Sequence, residues 1–208
     1  NIGPAADAAM EFLGVSYTVL CPALPVNGRV VMKGELYVGG VPLHESPMKN
    51  HPLTPMWDAR IANLMKPQSK YSCVELWKEQ MDRPADEIHA MLSDQADTQE
   101  HYYVIPDYQD MEDGERIVEL FGDLALLTGG SGILEPLAKH LSRRQDILPE
   151  LDIRAEGAAV LIAGSCSRAT LEQIAHFQTH GGFSYKMDPM AMLEGRESLE
   201  DAWRFVRE

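Results

Sequence analysis

Strand patterns and helix patterns alternate regularly in the second half of the chain, and this rhythm constrains its fold more than any other feature. Each short apolar run is followed by a stretch with helical spacing. The order is HYYVIPD, MEDGERIVELFG, LALLTGG, SGILEPLAKHLSRR, AAVLIAGS and RATLEQIAHFQTH. Because strands that alternate with helices of this length are connected by right-handed crossovers, the sequence predicts an α/β fold with a mostly parallel sheet and flanking helices.

The first half of the chain predicts further elements around this sheet. NIGPAADAAMEFLG is typical of a helix with Pro4 in its first turn and Gly14 at its end. SYTVLC and YSCVELW have strand patterns, whereas WDARIANLM and RPADEIHAMLSDQ have helical spacing. The turn signal at Asn27 and Gly28 precedes two alternating runs, so residues 29–41 are predicted to form an antiparallel ribbon.

The balance of charge limits the partners of this chain. Its 208 residues include 32 acidic and 18 basic residues, which give a formal net charge of -14. This charge repels nucleic acids and anionic membrane surfaces unless basic residues are concentrated in a patch. The one adjacent basic pair, Arg143 and Arg144, fits the solvated end of a helix. We expect neither nucleic acid nor a membrane as partner, and self-association into a homo-oligomer stays open.

The three cysteines indicate the redox compartment in which the protein is expected to work. Cys21, Cys73 and Cys166 lie in or beside apolar runs and show no CxxC spacing, so neither a disulfide framework nor a zinc knuckle is expected. The longest apolar runs are far shorter than the roughly 20 residues that span a bilayer. The sequence therefore favours a cytoplasmic protein.

A polar stretch divides the chain. Residues 145–157, QDILPELDIRAEG, interrupt the alternation of strands and helices, as is typical of a domain boundary. We place two domains at residues 1–155 and 156–208. Because the sequence begins and ends inside helical patterns, both ends are expected to be cut from something larger.

Two strand-to-helix turns are candidate ligand sites, because ligands of parallel sheets bind beyond the carboxyl ends of strands. The first is LALLTGGSG, where Gly129 and Gly130 permit a close approach to the backbone and Ser131 can bind an anion. The alternative is a tight turn in which Ser131 caps the next helix. For this turn alone, the alternative is favoured.

The second turn is AGSCSR. Gly164, Ser165 and Ser167 could hold a phosphate through backbone amides and hydroxyls, without a lysine. The alternative is that Ser165 or Ser167 only caps the helix. No Gly-Lys-Ser/Thr follows, so the turn is not a Walker loop. A hydrolase that uses Ser131 or Ser165 is disfavoured, because the GxSxG spacing fails at both turns.

The proline-rich loop at residues 42–55 is a third candidate, since ordered loops on a rigid scaffold concentrate ligand contacts. His51 and Thr54 could contact a polar ligand there, although a bond from His51 to a nearby carbonyl is an equal alternative. His176 and His180 are expected in the last turn of a helix, favourable to its dipole. No HExxH motif or carboxylate cluster supports a metal site.

Five motifs, in order, resemble the four-carbon acid sugar kinase family, once known only as a domain of unknown function. They are NIGPAADAAMEFLG, CPALPVNGR, MKNHPLTPM, LLTGGSG and VLIAGSCSRATLEQ. PALPVNGR and MKNHPLTPM look most like the branch that acts on 3-oxo-tetronate, with D-threonate and erythronate kinases as near alternatives. The resemblance covers nearly the whole chain.

The resemblance implies a partial two-domain kinase that phosphorylates the terminal hydroxyl of a four-carbon acid sugar with ATP and Mg²⁺. It implies an acid-sugar domain at residues 1–155, the beginning of an ATP-binding domain at 156–208, and a nucleotide contact at Ser165. The family's opening Asp-Asp-Phe-Thr-Gly run and its glycine-rich nucleotide motif are not among the 208 residues. We therefore expect these residues alone to be inactive. A non-catalytic acid-sugar-binding module of the same fold is the alternative.

Overall fold

The chain consists of two compact units, Asn1–Leu148 and Pro149–Glu208, each described by itself. The computed structural model describes residues 2–50, 54–96, 98–142, 159–165 and 167–207. No helix in these ranges is long and apolar enough to cross a membrane. The dividing point falls within the polar stretch at residues 145–157, and the functional assignment of the two units stays a prediction.

A four-stranded parallel sheet forms the centre of the first unit. Its strands lie side by side in the order β5 (Ser72–Leu76), β6 (Tyr102–Pro106), β1 (Tyr17–Cys21) and β7 (Leu127–Gly129). All three strand pairs are parallel, and Val19 of β1 lies opposite both Val104 and Leu127. β6 is buried along its whole length, as expected for a strand covered on both faces. The parallel sheet predicted from the alternating pattern is confirmed.

Six helices flank this sheet among the described residues of the first unit. They are α1 (Gly3–Leu13), α2 (Ile61–Met65), α3 (Lys78–Met81), α4 (Ala85–Ala96), α5 (Met111–Phe121) and α6 (Leu134–Ser142). Helix α1 has Pro4 in its first turn and ends at Gly14 with φ of 64°, as predicted. Helix α5 begins at Asp110, whose carboxylate accepts a hydrogen bond of 3.0 Å from the Asp113 amide.

The spacing of apolar residues explains which face each long helix buries. The buried residues of α5 recur at intervals of three and four positions and include Gly114, Ile117, Val118 and Phe121. The same spacing in α1 buries Ala6 and Met10 and also the polar side chain of Asp7. Burial of Asp7 is stabilised by hydrogen bonds from the Ser69 hydroxyl (2.7 Å) and the Lys70 amide (3.1 Å).

An antiparallel ribbon, as predicted, forms a second sheet, made of β2 (Arg29–Met32), β3 (Glu35–Val38) and β4 (Val41–Pro42). Its first turn is made by Lys33 and Gly34, whose φ angles of 50° and 76° are the positive values that a type I′ turn requires. Two backbone hydrogen bonds, of 3.0 and 2.9 Å, join Val31 to Tyr108, which follows β6. The ribbon is therefore fastened to the end of the central strand.

The proline-rich loop after the ribbon is held by local hydrogen bonds. The Ser46 hydroxyl donates to the Leu43 carbonyl at 2.7 Å, and the Met56 amide donates to the Met48 carbonyl at 3.1 Å. The helix predicted from WDARIANLM is only five residues long, because the Asp58 carboxylate accepts a hydrogen bond of 3.0 Å from the Arg60 amide. This turn delays the start of the helix.

The second unit contains α7 (Arg168–Thr179), α8 (Pro189–Leu193) and α9 (Leu199–Arg207) among its described residues. The helix predicted from RATLEQIAHFQTH is confirmed as α7, but the buried strand predicted from AAVLIAGS is wrong. Residues 159–165 form no strand, and Val160, Leu161 and Ile162 are exposed. An apolar run becomes a strand only beside a hydrogen-bonding neighbour, and the described residues of this unit contain no strand that could pair with it.

Candidate functional site

The four parallel strands end at one side of the first unit, which we call the carboxyl edge. It comprises the residues that directly follow the strands, namely Pro22, Trp77, Asp107 and Gly130, with the turns they begin. The ribbon lies beside it, because Val31 is hydrogen-bonded to Tyr108. Ligands of α/β proteins bind at this side of a parallel sheet, beyond the carboxyl ends of the strands. The carboxyl edge is therefore the candidate site of this unit.

The TGGSG turn packs directly on the end of β1, which explains two of its glycines. A Cβ atom on Gly129, where φ is 139°, would collide with the backbone of Cys21. A Cβ atom on Gly132 would likewise collide with the Ala23 carbonyl. The Gly130 amide donates a hydrogen bond of 2.8 Å to the Cys21 carbonyl. Gly129 and Gly132 therefore allow the backbone of the turn to pack closely on the backbone that ends β1. This packing explains why glycine is needed at both positions.

The same turn also presents an exposed surface. Gly129, Gly130 and Ser131 are all exposed. Ser131 begins a short 3₁₀ helix whose N-cap is Gly130, and the described residues offer its hydroxyl no hydrogen-bond partner. Thr128 differs, since its hydroxyl donates to the Val19 carbonyl at 2.9 Å. The structure therefore shows a tight turn, without the serine cap that the alternative interpretation supposed, and a role in substrate binding stays a prediction.

Asp107 is the most buried acidic residue of the carboxyl edge, with 1% of its surface exposed. Its Oδ2 atom accepts a hydrogen bond of 3.1 Å from the Lys78 amide, and its Oδ1 atom accepts a longer one of 3.5 Å from the Gly34 amide. Burial raises the pKa of Asp107 above its ordinary value, and these amide hydrogen bonds oppose the rise. Asp107 thereby fixes the ribbon turn and the start of α3 relative to β6.

A second acidic residue, Asp113, pairs with a lysine at this edge. Its Oδ1 atom contacts the Lys78 ammonium group, and its Oδ2 atom accepts a hydrogen bond of 2.8 Å from the Gln109 amide. The Asp113 side chain is 3% exposed and that of Lys78 is 40% exposed. The hydrogen bond to Asp113 raises the pKa of Lys78, so Lys78 is cationic at neutral pH and its charge is already balanced.

Arg60 and Glu75 form a bidentate ion pair beside the ribbon turn. The Arg60 Nε and Nη2 atoms donate to the two Glu75 oxygens at 2.8 and 2.6 Å, and this pair raises the pKa of Arg60. A Cβ atom on Gly34 would collide with the Glu75 carboxylate. Trp77 also donates to Glu75, at 3.3 Å. These contacts fasten the ribbon to the end of β5 and leave the Arg60 charge balanced.

Burial keeps two further groups at this edge protonated. It raises the pKa of the Cys21 thiol to about 12 and that of the Tyr108 hydroxyl to about 12. Cys21 is therefore not a thiolate nucleophile at neutral pH. The Tyr108 hydroxyl donates a hydrogen bond of 2.7 Å to the Gly132 carbonyl, so it joins the end of β6 to the TGGSG turn.

A cleft of about 680 Å³ lies between α3, α5 and α6, next to Lys78 and Asp113. Three of the basic residues that line it are paired: Lys78 with Asp113, Arg116 with Glu119 at 2.8 Å, and Lys139 with Glu135 at 3.1 Å. The same wall carries several further carboxylates. This cleft therefore presents balanced charges, and the exposed TGGSG turn is the better candidate for an anionic ligand.

In the second unit, two serine hydroxyls of the AGSCSR turn accept hydrogen bonds from nearby backbone amides. The Ser167 hydroxyl caps α7 by accepting a hydrogen bond of 3.3 Å from the Thr170 amide. The Ser165 hydroxyl accepts one of 3.1 Å from the Ser167 amide. Gly164, Ser165 and Ser167 are all exposed. The capping alternative therefore holds for Ser167, and contact of this turn with a nucleotide stays a prediction.

The other residues predicted from the sequence, His51, Thr54, His176 and His180, do not form a common site among the described residues. His51 lies outside the described residues, and Thr54 is exposed in the proline-rich loop. His176 is in the last turn of α7, as predicted, whereas His180 follows the helix as its C-cap residue and contacts the His176 carbonyl at 2.8 Å. Within the ranges that the structure describes, no three His, Cys, Asp or Glu side chains form a group that could hold a metal ion.

Sequence reasoning missed the buried acidic residues of the carboxyl edge. Asp107 follows the strand pattern HYYVIPD directly, and this position was a usable signal for a residue at the ligand side of the sheet. Asp113 was not recognisable in the same way, since its pairing with Lys78 joins residues 35 positions apart.

Comparison with known protein families gives one match to the first unit. The sequence profile described as "Sugar-binding N-terminal domain" matches residues 1–137. This range includes every strand of both sheets. It ends within α6, after the TGGSG turn, so the match covers the carboxyl edge.

Two curated relatives match over nearly the entire chain. A 3-oxo-tetronate kinase of Burkholderia multivorans is 34% identical over 100% of this chain and 49% of its own length. A 3-oxo-tetronate kinase of Cupriavidus necator is 37% identical over 97% of this chain and 47% of its own length. The chain spans about half the length of the curated relatives it matches.

Solved structures with this fold come from three further bacteria. A Salmonella typhimurium protein described as a putative tRNA synthase has a TM-score of 0.73 and 36% identity, covering 86% of this chain and 42% of that one. A Haemophilus influenzae protein of the DUF1537 family has a TM-score of 0.69 and 32% identity, covering 99% and 49%. A Bordetella bronchiseptica DUF1537 protein, a domain-swapped dimer with bound citrate, has a TM-score of 0.53 and 27% identity, covering 86% and 42%.

Proposed function

The chain belongs to the family of sugar-binding N-terminal domains, and on this premise we propose that its first unit binds a four-carbon acid sugar at the carboxyl edge. The observation that carries the proposal is the agreement between the family match and the names of the relatives. The family profile covers residues 1–137, and two relatives named 3-oxo-tetronate kinase match 97–100% of the chain. Citrate, bound by the Bordetella relative, is also a small hydroxy acid.

The exposed part of the TGGSG turn is the proposed contact surface for the acid sugar. Gly129 and Gly130 permit a ligand to approach the backbone, and the Ser131 hydroxyl is available for a hydrogen bond to a sugar hydroxyl. Thr54 and His51, on the proline-rich loop, belong to the same proposal as substrate contacts. Asp107 stabilises the carboxyl edge, because its carboxylate accepts hydrogen bonds from the ribbon turn and from the start of α3.

We propose that the whole protein is an ATP-dependent acid sugar kinase, which phosphorylates the terminal hydroxyl of 3-oxo-tetronate. Residues 1–155 would bind the acid sugar, and residues 156–208 would begin the nucleotide-binding domain. In that domain Gly164, Ser165 and Ser167 would contact ATP, because an exposed turn at a helix start offers amides and hydroxyls to phosphate. Mg²⁺ bound to ATP would neutralise charge that develops on the transferred phosphoryl group.

The preferred substrate follows from the names of the relatives, which are 3-oxo-tetronate kinases. D-threonate and erythronate differ from 3-oxo-tetronate by a hydroxyl in place of a ketone, so they are the alternatives within the same proposal. We also propose a cytoplasmic location and self-association, the latter because the Bordetella relative is a dimer. Sedimentation velocity of the purified chain tests the self-association.

A second candidate function is a non-catalytic module that binds acid sugars. It is favoured by one observation, namely that the profile matching residues 1–137 is described as a sugar-binding domain. Such a module would bind a tetronate at the carboxyl edge and would transfer no phosphate.

Calorimetry and a coupled assay together test these functions. Titration of the 208-residue chain with 3-oxo-tetronate, D-threonate and D-erythronate measures acid-sugar binding. The complete translation product of the gene is then assayed for ADP formation with ATP, Mg²⁺ and the same panel. Binding with product formation supports the kinase, and binding without product supports the non-catalytic module. Absence of both binding and product contradicts both proposals.

A further inference from the structure

Arg29 differs from the other partly buried basic residues of the described chain. Its guanidinium group has neither a hydrogen bond nor an ion pair within the described residues. The other three are paired: Arg60 with Glu75, Lys78 with Asp113, and Arg116 with Glu119. A partly desolvated cation is stabilised by an anion, and in a chain with a net charge of -14 intramolecular anions are abundant. The lack of a partner for Arg29 among the described residues therefore needs an explanation.

The position of Arg29 places it beside the TGGSG turn. Two backbone hydrogen bonds, of 2.9 and 3.2 Å, pair Arg29 with Leu24, which lies just beyond the end of β1. Leu24 in turn packs on the turn, since a Cβ atom on Gly132 would lie 3.1 Å from the Leu24 Cα atom. The Arg29 backbone is thus hydrogen-bonded to Leu24, and Leu24 lies close to Gly132 of the TGGSG turn.

The face of the ribbon that carries Arg29 is the face turned toward the core. Side chains two apart on a strand share a face, so Arg29 lies on the same face as Val31, which is 0% exposed. Val38, opposite Arg29 on β3, also packs against the core. Arg29 is the first residue of β2, so it lies at the end of the ribbon nearest β1. The Arg29 side chain therefore starts from the core-facing side of the ribbon, at the end that is hydrogen-bonded to Leu24.

We propose that Arg29 binds the carboxylate of the acid sugar, and this rests on the proposed acid-sugar binding at the carboxyl edge. The planar guanidinium presents two parallel N–H donors that match the two oxygens of a carboxylate. With the carboxylate held by Arg29, the hydroxyls of the sugar extend to the TGGSG turn and the Ser131 hydroxyl. Arg29 then selects acids over uncharged sugars of the same length.

Calorimetric titration of the 208-residue chain with 3-oxo-tetronate, D-threonate and D-erythronate tests this role, with erythritol as the uncharged counterpart. Arg29→Gln removes the charge, and Arg29→Lys keeps it without the bidentate geometry. The control is Arg83→Gln, at an exposed arginine of the same unit. We expect Arg29→Gln to weaken acid binding at least about tenfold, Arg29→Lys to fall in between, and Arg83→Gln to change it less than about twofold. Erythritol binding and the thermal midpoint should not change with Arg29→Gln.

Each other result has a distinct meaning. If the wild-type chain binds a tetronate and Arg29→Gln binds it equally well, the role of Arg29 is overturned while acid-sugar binding stands. If Arg29→Gln lowers the thermal midpoint, or weakens erythritol and acid binding by the same factor, Arg29 acts on structure and the proposal is overturned. If the wild-type chain binds no acid of the panel, the proposed function fails and this inference fails with it.

Discussion

The Lys78 amide donates a hydrogen bond of 3.1 Å to the buried carboxylate of Asp107. The second oxygen of that carboxylate accepts a hydrogen bond from the Gly34 amide. One side chain at the end of β6 therefore joins the turn after β5 to the turn of the ribbon. Since the turn after β5 belongs to the carboxyl edge and the ribbon lies beside it, the geometry of this edge depends on Asp107.

Substitution Asp107→Ala should destabilise the first unit by about 2–4 kcal/mol, because two amide groups at a buried position lose their acceptor. Urea unfolding followed by circular dichroism measures the change. The matched control is Asp94→Ala, at an exposed aspartate of α4, which should stay within about 0.5 kcal/mol of wild type. Equal stability of Asp107→Ala and wild type would show that other contacts hold the two turns.

Because of the ion pair between Lys78 and Asp113, the free energy of unfolding should fall as the pH rises in the alkaline range. Because Asp113 raises the folded-state pKa of Lys78, the stabilisation is fully present below the unfolded value of about 10.4 and is lost as pH rises through the folded value. Lys78→Met should lower stability at pH 7 by about 1–2 kcal/mol, a range reduced for the partial exposure of Lys78. The difference between variant and wild type should shrink above about pH 10.4.

Urea unfolding at pH 7, 9, 10 and 11 measures this difference. Lys66→Met is the control, since Lys66 is exposed and, among the described residues, its ammonium group donates a hydrogen bond only to the Asn63 side chain. A difference between Lys78→Met and wild type that stays constant from pH 7 to pH 11 would contradict the role of the Lys78 charge.

Gly132→Ala should destabilise the TGGSG turn by about 2–4 kcal/mol, because the added methyl group collides with the Ala23 carbonyl and the backbone must shift. Gly164→Ala is the control, since a Cβ atom there meets nothing within 4 Å. Thermal unfolding of both variants measures the contrast. A Gly132→Ala variant as stable as Gly164→Ala would show that the turn adapts without strain.

Ser167→Asp separates the two roles considered for the AGSCSR turn. Aspartate caps a helix as well as serine does, so the helical content of the second unit should not change. Its negative charge should nevertheless weaken ATP binding about tenfold if the triphosphate lies at this turn. Calorimetric titration with ATP measures the affinity, and Ser167→Asn, which keeps the cap without the charge, is the control. Equal ATP affinity in all three proteins would remove Ser167 from the nucleotide site.

The fold of the first unit could be predicted from the sequence where a strand pattern in the chain also finds a neighbouring strand in the structure. The alternation after residue 101 predicted β6, α5, β7 and α6, and the Asn27-Gly28 signal predicted the ribbon. The same reasoning was wrong at residues 159–165, because an apolar run specifies a strand only when a neighbouring strand is available to pair with it. Sequence pattern alone does not report that neighbour.

The candidate site was predictable only in part, for a related reason. A glycine-rich turn after a strand is a local signal, so Gly129, Gly130 and Ser131 could be singled out. Long-range contacts give no such signal, and Asp107 joins residues 73 and 29 positions away. Arg29 could be identified only from the structure, because the lack of an ion-pair partner among the described residues leaves no pattern in the sequence.

The position of β6 between β5 and β1 has a consequence for biosynthesis. Both neighbours precede β6 in the chain and are not hydrogen-bonded to each other in the sheet. A nascent chain that ends before Tyr102 therefore carries two apolar strands without the strand that separates them. Long-range parallel pairing of this kind is slow and leaves strand edges open to association. We therefore expect the parallel sheet to form only after Pro106 has been synthesised.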